Sequence, residues 1–149
     1  MLIEKYPVIW IAAFCLLVTF GASTSAQQAP PAPGDEAQLI AVLQSDAELF
    51  DKAKACQRLA VIGTKDCVPA LAALLEDPQL SHYARTGLEP IPDPAADQAL
   101  REALDRLEGG LKAGVINSIG MRRDTQAVAP LANLADGSDT PVAAAALAA

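Results

Sequence analysis

Residues 52–78 constrain the fold more than any other stretch, because they contain two amphipathic helices separated by a very short corner. In the first helix, apolar residues recur every three or four positions, which predicts one buried face at Ala53, Cys56, Ala60 and Gly63. We expect Gly63 to end this helix in the left-handed conformation and Asp66 to cap the next one. A corner of about three residues turns the chain back on itself, which predicts an antiparallel helical hairpin.

The second helix of the hairpin is predicted over residues 67–76, with an apolar side that faces the first helix. Pro69 falls in its first turn, where a missing N–H does little harm. Asp77-Pro78 should end the helix, because a residue before proline is pushed out of the helical region. The apolar side consists of Val68, Leu71, Ala72, Leu74 and Leu75.

This stretch resembles a HEAT repeat, and in particular the short bacterial kind that is similar to the PBS lyase HEAT-like repeats of phycobilin lyases. The resemblance rests on Ile62-Gly63, Asp66, Val68-Pro69-Ala70-Leu71 and Leu74-Leu75-Glu76-Asp77-Pro78. It implies an armadillo-like helical architecture, an α-solenoid that binds other macromolecules along a curved surface, usually with no chemistry of its own.

The rest of the chain repeats the pattern imperfectly, and its start and stop signals predict four helix pairs. Expected starts are a cap at Asp35, a capping box over residues 45–48, and caps at Asp93 and Thr140 before prolines. Gly120 should end a helix as Gly63 does, and three prolines make residues 90–94 a loop. The predicted helices are 36–44, a long helix opened by the box and ending at 63, then 67–76, 80–89, 95–107, 111–119, 125–135 and 141–149.

Leucines at matching places in the four pairs lie 32, 33 and 27 residues apart, which is typical of helical repeats. These landmarks are Leu39, Leu71, Leu104 and Leu131. No stretch alternates apolar and polar residues as a half-buried strand does. The predicted fold is therefore all-α: a right-handed α-solenoid of about four antiparallel helix pairs, HEAT-like, over residues 35–149.

The first 34 residues predict export. Residues 1–26 have a short charged opening, an apolar run from Pro7 to Phe20 and small residues before Ala26, which is typical of a signal peptide cleaved after Ala26. The alternative is an uncleaved membrane anchor, although the apolar run falls short of the roughly 20 residues that a spanning helix needs. Residues 27–34 form a proline-rich linker. The expected location is the periplasm or the cell envelope.

Composition argues against nucleic acid as a partner. The chain has 11 lysines and arginines against 18 acidic residues, a net charge of −7, and loss of residues 1–26 removes one charge of each sign. Phosphate backbones require clustered bases, and Arg122-Arg123 is the only adjacent pair. We expect this pair and Asp124 to form a solvated loop in which the aspartate caps a helix.

Few residues offer chemistry. His82 is the only histidine, so neither a catalytic triad nor a histidine-rich metal site is expected, and no cofactor motif is present. The acidic residues near the corners lack the spacing of a calcium loop: Glu76, Asp77, Glu89, Asp93 and Asp97. Cys56 and Cys67 lie about 10 Å apart along the predicted helix axis, so we expect both to be buried and unpaired.

Residues His82, Tyr83 and Arg85 are the candidate partner-binding residues, because aromatic and arginine side chains are enriched at interface hot spots. The structural interpretation, which we favour, has Tyr83 and Ala84 packing inward while Ser81, His82 and Arg85 face water or bind neighbouring carbonyls.

Two functions remain open. The first is an exported, non-enzymatic scaffold that binds a protein partner of unknown identity. The second is a lyase-like or accessory domain of a larger exported enzyme, which would need a deep pocket with converging polar groups. The run from Val142 to Ala149 has no polar outer face or glycine stop. We therefore expect a longer or truncated array, or a last helix that pairs with another chain.

Overall fold

The computed structural model describes residues 34–149, and these form eight α-helices and two short 3₁₀ turns with no strand. The prediction of an all-α chain is confirmed for this part. The helices are α1 Asp35–Gln44, α2 Leu49–Ile62, α3 Val68–Ala72, α4 Ser81–Leu88, α5 Pro94–Leu104, α6 Gly109–Arg122, α7 Val128–Ala135 and α8 Thr140–Ala148. The predicted signal peptide, and the predicted linker up to residue 33, lie outside the described residues. Within 34–149, none of the helices has the length and apolarity that a bilayer crossing requires.

The helices pack in consecutive pairs: α1 with α2, α3 with α4, α5 with α6, and α7 with α8. Successive pairs are joined through their second helices, since α2 packs on α4, α4 on α6, and α6 on α8. We call these four helices the even-helix row. The first helices of the pairs also meet, α1 with α3 and α3 with α5.

One core extends through all four pairs, from Leu43 in α1 to Ala145 in α8. Leucine and isoleucine fill its centre, because short helices gain most of their stability from burying one apolar stripe. The largest fully buried side chains are Leu59, Leu71, Leu75, Leu88, Ile91, Leu100, Ile116 and Ile119. The two cysteines are buried and unpaired, as predicted.

Gly63 follows α2 as predicted, but its conformation is extended, with φ −65° and ψ 143°, so the predicted left-handed stop is wrong. Position 63 requires a glycine because there is no room for a side chain. A Cβ at this position would lie 2.8 Å from the Cys67 sulfur and still nearer the Leu59 carbonyl oxygen. The chain turns so tightly here that a side chain would collide with both helices of the hairpin.

Gly120 does not end α6, which continues to Arg122 and closes on Arg123 at φ 55°. The prediction is wrong because Gly120 is needed where the backbones of α6 and Ala149 come close together: a Cβ at Gly120 would lie 2.8 Å from the Ala149 Cα. Arg123 instead takes the left-handed cap, which a non-glycine residue adopts at some cost.

Several predicted caps are wrong by a few residues. Gly34, not Asp35, precedes α1, and Ser45 bonds back to the Val42 carbonyl instead of opening a capping box. Thr64 replaces Asp66 at the hairpin corner, where its hydroxyl accepts from the Asp66 N–H. Asp139 replaces Thr140 before α8. At Thr64 and Asp139 a neighbouring side chain with the same capping chemistry takes the place of the predicted one, whereas α1 and α2 begin without a side-chain cap.

The remaining boundaries fall near the predicted ones, with two changes of physical interest. α3 stops at Ala72, and the chain continues to Asp77 in tighter turns with i to i+3 hydrogen bonds. Asp77 has a second role besides ending the helical segment. Its carboxylate accepts from the Gln79 and Leu80 N–H groups and so stabilises the turn that precedes α4. Asp93 caps α5 as predicted by accepting from the Ala95 N–H.

We predict that Gly63→Ala lowers the free energy of unfolding by about 1–3 kcal/mol, because the added methyl group overpacks the corner. Gly110→Ala in α6 is the control, since a Cβ there meets no atom within 4 Å, and it should be neutral or stabilise by up to about 1 kcal/mol. Urea titration measures both. Equal stability of the two variants would contradict the steric account of Gly63.

Candidate functional site

The three predicted partner-binding residues lie on α4 but point in different directions. His82 is exposed, and its ring meets the half-buried ring of Tyr83 edge-on with centroids 5.6 Å apart. Arg85 is half-buried and reaches α6. The structure therefore brings His82 and Tyr83 together and directs Arg85 elsewhere. Ser81, expected at the surface, is buried beside Ala84.

Arg85 ties α4 to α6 through hydrogen bonds. Its Nη1 donates to the Gly114 carbonyl at 3.0 Å and to the Ser118 hydroxyl at 3.3 Å. That buried hydroxyl donates in turn to the Glu89 carboxylate at 2.7 Å. Burial lowers the pKa of Arg85, and the negative charge of Glu89 partly offsets this effect. Binding to a neighbouring carbonyl was the structural interpretation of Arg85, and it is confirmed.

Gly114 is what allows the guanidinium to lie so close to α6. A Cβ at this position would lie 2.9 Å from both Cζ and Nε of Arg85. The distance between α4 and α6 therefore depends on a glycine facing an arginine.

Arg122 is a second tie, and here the prediction of a solvated loop is wrong. Its side chain is only 9% exposed, and its Nε donates to the Asp97 carboxylate at 2.6 Å. Its Nη1 donates to three carbonyls at the end of α4 and in the following corner, those of Leu88, Glu89 and Ile91, at 2.7–3.0 Å. The Leu88 carbonyl also accepts from the Ile91 N–H, so Arg122 satisfies chiefly the Glu89 and Ile91 carbonyls, which the proline-broken corner leaves without N–H partners.

The two residues after Arg122 behave as predicted, Arg123 as a solvated residue and Asp124 as a helix cap. Asp124 is a cap as predicted, because its carboxylate accepts from the Gln126 N–H, and it also pairs with Arg101 of α5. Arg123 is exposed. Arg122 is therefore buried and the adjacent Arg123 is exposed, although their chemistry is identical. The local sequence does not distinguish them.

These ties join α4 to α6, and one side of the even-helix row is open to solvent. We call this side the even-helix face, and its exposed residues are Phe50, Lys54, Gln57, Val61, His82, Thr86, Asn117 and Met121. Three of them are large apolar side chains with most of their surface in water: Phe50 at 69%, Val61 at 75% and Met121 at 74%. A groove of about 530 Å³ continues the face between α6 and α8, lined in part by Asn117, Met121 and Ala148.

Charge is distributed very unevenly between the even-helix row and the rest of the chain. Of the 18 acidic residues, only Asp51 lies in α2, α4, α6 or α8, although these helices hold six of the 11 lysines and arginines. Those bases are Lys52, Lys54, Arg58, Arg85, Lys112 and Arg122. The acidity of the protein therefore belongs to α1, α5, the corners and residue 4, and the even-helix face is nearly free of negative charge.

Sequence reasoning missed this face because it searched for clusters of reactive residues. A signal was present: acidic residues are lacking from alternate helices. The two cysteine thiols are poor nucleophiles, because burial raises the pKa of Cys56 to about 11 and that of Cys67 to about 12. No three His, Cys, Asp or Glu side chains within 34–149 converge as a metal site would require.

Comparison with protein-family models, with curated proteins and with solved structures finds no match to this chain. The even-helix face is therefore interpreted from its own chemistry.

We predict that Arg122→Gln lowers the free energy of unfolding by about 3 kcal/mol, because Asp97 and three corner carbonyls lose a shared donor. The adjacent Arg123→Gln makes the same chemical change at an exposed site and should cost less than about 0.5 kcal/mol. Urea titration of the two variants distinguishes a buried tie from a solvated loop. A small effect at both positions would support the loop.

Proposed function

We propose that this chain is an exported, non-enzymatic scaffold of the HEAT-like α-solenoid class, which binds a protein partner through the even-helix face. The observation that carries the proposal is the exposure of Phe50, Val61 and Met121 on a surface almost without acidic residues. In a chain of net charge −7, exposed apolar side chains on a surface with almost no acidic residue favour protein binding there.

The arrangement of the helices supports the solenoid. Each helix pair packs on the next, and the principal contacts join only consecutive pairs. This is the packing expected of a repeat protein, whose units contact their nearest neighbours. The second helices pack together more extensively than the first helices where the first pair meets the second and where the third meets the fourth, and the two kinds of contact are similar where the second pair meets the third. Closer approach on one side is what curves a solenoid, so the even-helix row would form its concave side.

The chemistry of the face favours protein as the partner. Interface cores are enriched in aromatic residues and methionine and depleted of acidic residues, and Phe50, Met121 and the His82–Tyr83 ring pair fit that description. Nucleic acid would require a cluster of free bases. Arg85 and Arg122 are already engaged with backbone carbonyls, which removes two of the bases in the row.

The alternative of a lyase-like or accessory enzyme domain would need His82, Tyr83 and Arg85 to converge on a deep pocket. Arg85 is directed into α6 and His82 toward solvent, so this arrangement favours the scaffold. The proposed location, the periplasm or cell envelope, rests on the sequence of residues 1–26 alone.

We predict that charge placed on the even-helix face abolishes partner capture. The full-length gene is expressed in its native host with a C-terminal tag, and the exported protein, whose first residue we expect to be Gln27, is cross-linked and recovered. Partners held by the wild type should be lost from Val61→Glu and Met121→Glu, because burying a carboxylate without a counterion is costly.

The matched control is Ala41→Glu, which adds the same carboxylate at an exposed site on α1. It should retain the partner. Equal loss in Ala41→Glu, or retention in both even-helix variants, would contradict binding by this face.

A further inference from the structure

Helix α2 presents one exposed stripe to solvent along most of its length. The stripe consists of Phe50, Lys54, Gln57 and Val61, which repeat at intervals of four, three and four residues and so lie on one side of the helix. Its two ends are apolar, since most of the surface of Phe50 and of Val61 is in water. At a rise of about 1.5 Å per residue, these two residues are about 16 Å apart along the helix axis.

A groove between α1 and α2 adjoins this stripe. The groove has a volume of about 450 Å³, and its apolar lining consists of Leu39, Val42, Ala47 and Ala55. The charged residues that border it are Lys54, Arg58 and Asp51. Because Lys54 belongs to both the stripe and the groove, the two form one continuous surface on α2, which we call the α2 site.

The charge of α2 is opposite in sign to that of the whole chain. The helix holds three bases, Lys52, Lys54 and Arg58, and one acid, Asp51, in a chain of net charge −7. Within residues 34–149, no ion pair involves α2, since the pairs join Arg101 to Asp124, Arg106 to Glu76 and Arg122 to Asp97. The bases at the α2 site are therefore available to carboxylates of another molecule.

Phe50 and Lys54 place a positive charge directly beside apolar surface. The Lys54 ammonium lies 5.2 Å from the centre of the Phe50 ring. A partner residue that contacts this ring therefore comes close to a cation, and Arg58 lies one turn further along α2 at the border of the groove. Complementary chemistry is an apolar surface with carboxylates along its border.

We propose that the partner of the even-helix face contributes an amphipathic helix with acidic borders, which lies along α2. This inference rests on the proposed function and specifies the chemistry of its partner. The apolar side of the partner helix contacts Phe50, Val61 and the α1–α2 groove, and its carboxylates face Lys54 and Arg58.

The shape of the α2 site favours a helix over an extended segment. A helix that packs against another helix contacts it at every third or fourth residue, and apolar residues about three turns apart match Phe50 and Val61. An extended segment that adds to a sheet needs the free N–H and C=O groups of an edge strand, and residues 34–149 contain no strand. Nucleic acid would pair with the bases but leave both apolar ends of the stripe without a matching surface.

Fluorescence polarisation with designed peptides tests this proposal on the exported protein, produced from the full-length gene. Three labelled peptides of about 18 residues, or about five helical turns, are compared. The first has leucines on one face and glutamates along both borders, the second has lysines in place of the glutamates, and the third is a scrambled form of the first. The first peptide should bind about tenfold more tightly than either of the others.

Charge reversal on α2 should reverse this preference. Lys54→Glu combined with Arg58→Glu should bind the basic peptide more tightly than the acidic one, because like charges then face the glutamates. Lys54→Glu alone should reduce the preference, and it provides the test if circular dichroism shows that the double variant is unfolded. The matched control is Lys65→Glu, an exposed base that lies in neither the stripe nor the groove, and it should bind as the wild type does.

Equal binding of the acidic and basic peptides, no binding of any peptide, or a preference that survives charge reversal at Lys54 would each overturn this inference. Capture from the host tests the proposed function separately. Loss of the host partner from Val61→Glu, without any preference among the peptides, would refute the acidic helix alone. Retention of the host partner by both Val61→Glu and Met121→Glu would refute the proposed function itself.

Discussion

The structure depends on one guanidinium group. Arg122 of α6 donates to three carbonyls at the corner that follows α4, and two of them, those of Glu89 and Ile91, accept from no backbone N–H in this proline-rich segment. Without this donor the corner would have to expose its carbonyls to water, and Ile91, which is fully buried beneath it, could not stay in the core. The second and third helix pairs are therefore joined by an arginine as well as by apolar packing.

Arg85 complements this tie one turn earlier on α4, and the two arginines together fix how α4 lies against α6. They also direct two of the six bases of the row inward. Both guanidinium groups are turned inward against carbonyl oxygens, and the acids that balance them, Asp97 and Glu89, lie in α5 and in the corner after α4. What remains on the outside of the row is mostly apolar or uncharged, with the exposed base Lys54 and the single acid Asp51, and this gives the even-helix face its character.

The sequence predicted the helices well, because proline, glycine and aspartate mark most corners and the apolar spacing marks most faces. Pro69 and Asp93 follow directly from local chemistry. The caps were less predictable, since Thr64 and Asp66, or Asp139 and Thr140, offer the same oxygen one or two residues apart. The role of Arg122 could not be predicted at all, because its partners lie about 25–34 residues away and most of them are backbone carbonyls. Likewise, Gly63, Gly114 and Gly120 are glycines for reasons of space, which a sequence does not show before the helices are packed.

The central claim is that each helix pair is stabilised by the pairs next to it, so that a terminal pair is less stable than a central one. Native-state hydrogen exchange, measured helix by helix, tests this claim most directly. The α7–α8 pair buries little beyond Leu131, Val142 and Ala145, whereas Leu59, Leu71, Leu88 and Leu100 lie at the centre of the row. The account predicts that the amides of α7 and α8 exchange through openings of clearly lower free energy than those of α2, α4 and α6. A single opening free energy shared by all eight helices would contradict it.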